Sequence, residues 1–496
     1  MKRVKNLIIL HSDEMRGDAP GFTGNPDCKT PELDRFAARS IVFERHFTVH
    51  TKCVPSRCAL ATGRYAHADG IRTVNDTNLL PVDRPNLLAA LRGAGYETAV
   101  FGLNHVWENF FGDNNKKSSG VVDYQSFEPE NFAPLLERTW EVEQPGADSA
   151  PVHVNDGAVN LRVGRVTDPL KGFCDDNRAE QAIHYLKNVR DRSKPFFMQL
   201  NISAPHPSYK VEEPWFSMYD RNEIKAYPHS VPENAPLCIQ KMREVRSGPN
   251  ATEADFRQIQ AVYYGMISKV DDLMGRVLKA IEEEGLLENS IVVFTSDHGD
   301  FAGQYGLPEK WDTVMNDCLT RVPFIMHVPG LSEGTRVSSM TEHIDLVPTV
   351  LSVLGLEGNW DIHGESMLPA IRGEKRKEAV FADGGHETSM RARFNVSPSE
   401  VHDGLTRPAT LGKQETYSKY PDTMARTRMV RTEKWKLVMR ETDDHELYDM
   451  ENDPSELVNL WGRAGYDEPI RMLMGKLIQW CIRTAPEGKF QPRVGA

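Results

Sequence analysis

Short apolar, β-branched runs recur along this chain between amphipathic stretches, and that alternation restricts the fold more than any other feature. The runs are Val4 to Leu10, Thr98 to Phe101, Phe196 to Ile202, Ile291 to Thr295 and Phe324 to Val328. Between them, Arg84 to Gly93, Ala179 to Arg190 and Ala254 to Glu284 carry apolar residues at helical spacing. Strands alternating with helices predict an α/β fold: a large, mainly parallel or mixed sheet covered by helices on both faces. In such sheets the chemistry gathers beyond the carboxyl ends of the strands. Polar clusters stand at those places: Ser12-Asp13-Glu14, Asn104-His105, Pro205-His206 and Ser296-Asp297-His298-Gly299-Asp300.

Residues 107–176 have little periodicity and read as long loops on the sheet rim, where specificity often resides. The charged run Arg372-Gly373-Glu374-Lys375-Arg376-Lys377-Glu378 marks a boundary. We expect a catalytic α/β domain over residues 1–372 and a smaller α+β domain over 373–496. Within the second, Met429 to Val438 reads as an antiparallel hairpin and Pro469 to Thr484 as a final helix.

Composition excludes several function classes. The 59 basic and 71 acidic side chains leave a net charge of −12, which argues against broad nucleic-acid binding or docking on anionic membranes. No run of about 18 apolar residues exists to span a bilayer. The first apolar run stops at His11, too soon for a secretion signal. Seven widely spaced cysteines (28, 53, 58, 174, 238, 318 and 481) do not form a disulfide framework, and a reducing, cytoplasmic setting is expected.

The most informative stretch is Cys53-Val54-Pro55-Ser56-Arg57-Cys58-Ala59-Leu60-Ala61-Thr62-Gly63-Arg64, which fits Cys-x-Pro-Ser-Arg-x-x-x-x-Thr-Gly. It resembles the nucleophile motif of the type I sulfatases, the formylglycine-dependent branch of the alkaline phosphatase superfamily. The likeness extends through Thr30 to Ala37, Asp297-His298-Gly299-Asp300, Gly306 to Lys310, His343 to Thr349 and Leu447-Tyr448-Asp449. The resemblance implies an alkaline phosphatase-like fold with a smaller C-terminal domain of antiparallel sheet plus helix. It also implies a sulfuric ester hydrolase acting on a sulfated carbohydrate or small organic sulfate.

The same resemblance implies that a formylglycine-generating enzyme oxidises Cys53 to formylglycine. The chemical reason is general: an aldehyde hydrate offers two hydroxyls on one carbon. One attacks sulfur, and the other collapses to the aldehyde to expel sulfate. By resemblance, Arg57 binds the hydrate and a sulfate oxygen. His105 is the base for collapse, His206 the acid at the leaving oxygen, and Lys310 a sulfate-binding group. Asp13, Glu14, Asp297 and His298 align with the ligands of one divalent metal, Ca²⁺ by ligand hardness, with Mg²⁺ or Mn²⁺ as alternatives.

Departures from the family pattern matter. Glu14 stands where many members have a second Asp, and His298 where others have Asn. Leu103 replaces a lysine that many sulfatases place on the sulfate. Relatives that cleave phosphonate monoesters and phosphodiesters also lack that lysine, and Asn75 is a neutral donor such relatives use. Lys116, Lys117 or Arg162 could supply the missing charge, and Trp107, Trp140 and Trp311 could stack on sugars or fill a core. A phosphonate or phosphodiester hydrolase therefore stands as the alternative activity. A non-catalytic binding protein is the third reading, opposed by the intact set of reactive residues.

Overall fold

A computed structural model describes residues 4–71, 80, 84–103, 105–106, 163–166, 174–247, 251–331, 334–374, 376–386, 416–442 and 444–485. In chain order the strands begin with β1 (Asn6–Asp13), β2 (Ile41–Phe47), β3 (Glu97–Gly102), β4 (Val163–Arg165), β5 (Phe196–Pro205), β6 (Tyr209–Val211) and β7 (Ser290–Ser296). They continue with β8 (Arg321–Val322), β9 (Phe324–His327), β10 (Arg336–Glu342), β11 (Val380–Gly384), β12 (Thr427–Arg431), β13 (Trp435–Arg440) and β14 (Glu446–Asp449). The helices that matter here are α1 (Pro31–Ala37), α2 (Cys53–Thr62), α3 (Leu87–Gly93), α4 (Cys174–His184), α5 (Glu253–Glu283), α6 (Leu346–Leu354) and α7 (Asp467–Arg483).

The large sheet runs β10-β2-β9-β7-β1-β5-β3, with β8 beside β2. The β7-β1-β5-β3 core and the β10-β2 pair are parallel, while β9 is antiparallel to both its neighbours. Every residue of β1 is buried. Ile8 and Leu10 face one apolar layer, built with α1, α4 and α5; Leu7 and Ile9 face the other, built with α2, α3 and α6. A strand that is apolar on both faces demands this arrangement. Helix α5 opens on a capping box of Thr252 and Asp255, which satisfies otherwise orphaned amide donors of its first turn.

All five strands expected from the apolar runs are present, each within a few residues of its expected span. Strands β2 and β10 are additional. Their sequences, IVFERHF and RVSSMTE, are interrupted by charged and polar residues, so apolarity alone does not reveal them.

The smaller sheet, β11-β12-β13-β14, is antiparallel throughout and contains the expected hairpin. Helix α7 covers it with Leu473, Leu477 and Trp480, which pack together with Val49, Ala59, Tyr65 and Ile344 around the large sheet. Lys436 on β13 pairs with Glu456 at 2.7 Å and with Asp317, which lies just before β8. Among the described residues, no helix is long and apolar enough to cross a membrane. Most of residues 107–176, including Trp107, Trp140, Lys116, Lys117 and Arg162, lie outside the described residues, as do Asn75 and Asn104.

Candidate active site

Parallel strand ends converge as the topology requires. β1 ends on Asp13, β7 leads directly into Asp297 and His298, β5 into His206, and β3 into Leu103 and His105. The register of β1 against β5 shifts between His11 and Asp13. Such a bulge re-aims side chains beside a site. Gly102 closes β3 at φ +85°, and a Cβ there would lie 1.9 Å from the Asn201 carbonyl oxygen, so only glycine lets the chain turn toward His105. Helix α2 begins at Cys53, which puts residue 53 at the electropositive end of the helix and Arg57 one turn further in.

Ligand atoms of Asp13, Cys53, Asp297 and His298 lie within 4.8 Å of one another, all buried. The imidazole Nδ1–H of His298 donates to the Gly299 carbonyl at 3.0 Å, which leaves the Nε2 lone pair turned into this cluster. The Cys53 thiol reaches Nε2 at 3.3 Å and Asp13 Oδ1 at 3.7 Å. Burial, and then the Lys310 charge, bring His298 down to about 3 against the pull of Asp297, so it is a neutral donor at physiological pH. Two carboxylates and a neutral imbedded imidazole nitrogen form a donor set that fits a divalent cation.

Arg57 organises the same cluster. Its Nε donates to Asp297 Oδ2 at 2.8 Å, one terminal nitrogen to Asp13 Oδ2 at 3.0 Å, and the other to Asn201 Oδ1 at 3.3 Å. Burial works against its charge, but Asp297 and Asp13 hold the guanidinium firmly protonated. Burial likewise opposes ionisation of Asp297, yet the Arg57 guanidinium and the Glu14 amide keep its carboxyl well below the usual range. Burial and the adjacent Asp13 push the Cys53 thiol well up, so an unmodified Cys53 is a protonated, poor nucleophile.

Glu14 departs from the expected ligand set. It adopts a left-handed backbone at φ 70°, unusual for a residue with a side chain. Its amide donates to Asp297 Oδ1 at 3.0 Å and its carbonyl accepts from the Tyr263 hydroxyl at 2.8 Å. Its carboxylate is turned toward Lys310, which donates to Oε2, and toward His206, whose Nε2 is 3.4 Å away. Glu14 thus groups with Asp13 and His206 rather than with Asp297 and His298. Three of the four expected metal ligands come together around Cys53, and Glu14 joins them only through Asp13.

His105 is half-buried beside Arg57 and Asp13; burial, and then Arg57, bring it down to about 4. Leu103 is partly exposed. Trp311 is fully buried, donates its indole N–H to the Thr423 carbonyl at 3.1 Å and packs on Tyr417, so it fills a core.

Several supporting residues were not anticipated. Asn201 holds Arg57, and its place as a polar residue inside an apolar strand is the available sequence signal. Ser56, already inside the cysteine motif, donates to the Asp297 carbonyl at 2.6 Å. His343 and His46 lie behind Asp297; His343 opens one of the segments that carry the resemblance, whereas neither spacing nor composition marks His46.

Comparisons with known proteins agree with this architecture. Residues 5–356 match a family model described as Sulfatase, and residues 411–482 one described as N-sulphoglucosamine sulphohydrolase, C-terminal. The chain is 27% identical to the multifunctional alkaline phosphatase superfamily protein PehA of Trinickia caryophylli, over 97% of this chain and 96% of that one. It is 24% identical to an N-acetylglucosamine-6-O-sulfatase of Bacteroides thetaiotaomicron, over 95% and 85%. The phosphonate monoester hydrolase of Agrobacterium radiobacter shares the fold, with a TM-score of 0.73 at 22% identity over 97% and 96% of the two chains.

Proposed function

The chain belongs to the sulfatase family and is a sulfuric ester hydrolase, and we propose that its nucleophile is the hydrate of a formylglycine made from Cys53 by a maturation enzyme. The observation that carries this reading is the position of residue 53. It sits at the head of α2, against Asp13, His298 and the Arg57 that both carboxylates hold.

One hydroxyl of the hydrate gives up its proton to solvent and bonds to sulfur as the bond from sulfur to the alcohol oxygen breaks. His206 or Lys310, both against Glu14, gives the leaving oxygen its proton. His105, neutral down to about pH 4, takes the proton of the second hydroxyl. The carbonyl re-forms, the bond from carbon to the sulfate oxygen breaks, and sulfate departs; water then restores the hydrate. Arg57 binds the sulfate oxygens, with its orientation fixed by Asp13, Asp297 and Asn201.

Asp13, Asp297 and His298 would hold one divalent cation, assigned as Ca²⁺ with Mg²⁺ and Mn²⁺ as alternatives, and Glu14 adjoins it through Asp13. When bound, the cation offsets the negative charge of the ester and eases deprotonation of the hydrate.

The substrate class we assign is a sulfated carbohydrate or small organic sulfate. The N-acetylglucosamine-6-O-sulfatase relative and the C-terminal family match support it. Leu103 favours a second reading, phosphonate monoester or phosphodiester hydrolysis, because the pocket lacks one cation there; the multifunctional relative supports keeping it in the test. Comparing kcat/KM on a matched aryl sulfate, phosphodiester and phosphonate monoester decides between them. A higher value on the sulfate is expected, and a clear preference for either phosphorus ester replaces the sulfatase reading with the second one.

A further inference from the structure

Behind the site, a chain of buried groups runs to the backbone of Asp297. His343 Nε2 lies 3.3 Å from the Asp297 carbonyl oxygen, His46 Nε2 lies 2.9 Å from His343 Nδ1, and Thr341 Oγ1 lies 2.8 Å from His46 Nδ1. Thr341, His46 and His343 are each no more than 2% exposed. The ring of His46 also packs on Phe324, with centroids 4.0 Å apart, which fixes its plane.

The end of this chain sets its direction. A carbonyl oxygen only accepts, so His343 Nε2 carries the proton and Nδ1 is left as an acceptor. His46 Nε2 must then donate to it, so His46 Nδ1 also accepts, and its donor among the described residues is the Thr341 hydroxyl. Each group is used once, and both rings are neutral and in the Nε2–H form. Burial agrees: it brings His343 down to about 4 and His46 well below its ordinary value. The Asp297 carbonyl receives a second donor, Ser56 Oγ at 2.6 Å, and Ser56 is itself 2.8 Å from Thr48 Oγ1. His343, just after β10, and Ser56 of α2 therefore grip one carbonyl from two directions, backed by His46 of β2 and by Thr48.

We propose that Thr341, His46 and His343 are positioning residues that lock the Asp297–His298 peptide, and so aim the Asp297 carboxylate and the His298 imidazole at the divalent cation. The inference rests on the metal assignment made above. Both imidazoles are fully buried, and their contribution is to the geometry of the cation's ligands. Such outer partners are worth roughly 10- to 100-fold in metal affinity.

The test uses the full-length protein and two readouts. Calorimetric titration with Ca²⁺ and with Mn²⁺ is expected to show binding weakened by about 10- to 100-fold in His343→Leu, with much of the loss restored in His343→Gln, whose amide can donate to the same carbonyl. Thr341→Val, which removes only the far hydroxyl, is expected to weaken binding less and carries the titration if His343→Leu does not fold. A neutron map of the wild-type crystal is expected to place deuterium on Nε2 of both rings. A folded His343→Leu or Thr341→Val variant with wild-type affinity, or deuterium on Nδ1 of either ring, overturns the inference alone. Wild-type protein that takes up no divalent cation overturns the metal assignment and this inference with it.

Discussion

Arg57 donates through Nε to Asp297 Oδ2 at 2.8 Å inside a site where both side chains are at most 2% exposed. Because the same guanidinium also holds Asp13, a single side chain sets the separation of two carboxylates. Lysine cannot reproduce that fork. Arg57→Lys is expected to lower kcat by about 10²- to 10³-fold, the usual cost of losing a donor at a site of developing charge. Arg57→Ala leaves two buried carboxylates uncompensated and is expected to cost about 3–5 kcal/mol of stability in denaturant unfolding. Wild-type kcat in Arg57→Lys contradicts this account of Arg57.

His105 titrates far below an ordinary histidine because burial, reinforced by Arg57, disfavours its charged form. A base works only when neutral, so activity that depends on it survives down to about pH 4–5 and falls as pH drops through about 4. The pH profile of kcat/KM, with and without His105→Gln, reads this directly. An acid limb near the model-peptide histidine value, about 6.5, is the contrary result.

Metal removal separates the roles of the acidic residues. Exhaustive chelation is expected to abolish turnover, and Ca²⁺ or Mn²⁺ to restore it. Asp297→Asn is expected to reduce bound metal by elemental analysis. Glu14→Gln is expected to leave metal content closer to wild type while slowing turnover, because its carboxylate faces Lys310 and His206. Equal metal loss in both variants would return Glu14 to the ligand set.

By the family resemblance, Leu103 stands where many sulfatases carry a lysine. Leu103→Lys adds a cation at the end of β3 and is expected to raise the ratio of kcat/KM for aryl sulfate over phosphodiester by about tenfold, the effect of one charge-assisted hydrogen bond. Steady-state kinetics on the matched pair measures it, and an unchanged ratio removes Leu103 as a specificity determinant.

Much of this architecture is legible in the sequence because its physics is local. An apolar run such as Val4 to Leu10 has few alternatives to a central parallel strand, and the polar residues after it must then stand at the sheet's carboxyl edge. The pairing of Arg57 with both Asp13 and Asp297 is not local; those residues are 44 and 240 positions away. Glu14 shows the limit more sharply. The family resemblance aligns it with a metal ligand, but its backbone is left-handed at φ 70° and its carboxylate lies against Lys310, a conformation no pattern of residue types specifies. The strand Arg336 to Glu342 stayed hidden for a similar reason: it is polar, and its pairing with β2 supplies the order its own residues do not.

The central claim is that residue 53 acts as an aldehyde hydrate and not as a thiol. Mass spectrometry of the tryptic peptide spanning Cys53, from enzyme made in a host with the maturation machinery and active on an aryl sulfate, tests it most directly. Formylglycine at position 53, with turnover lost by about a millionfold in a folded Cys53→Ala variant, is the result this account predicts. An unmodified thiol in fully active protein contradicts it.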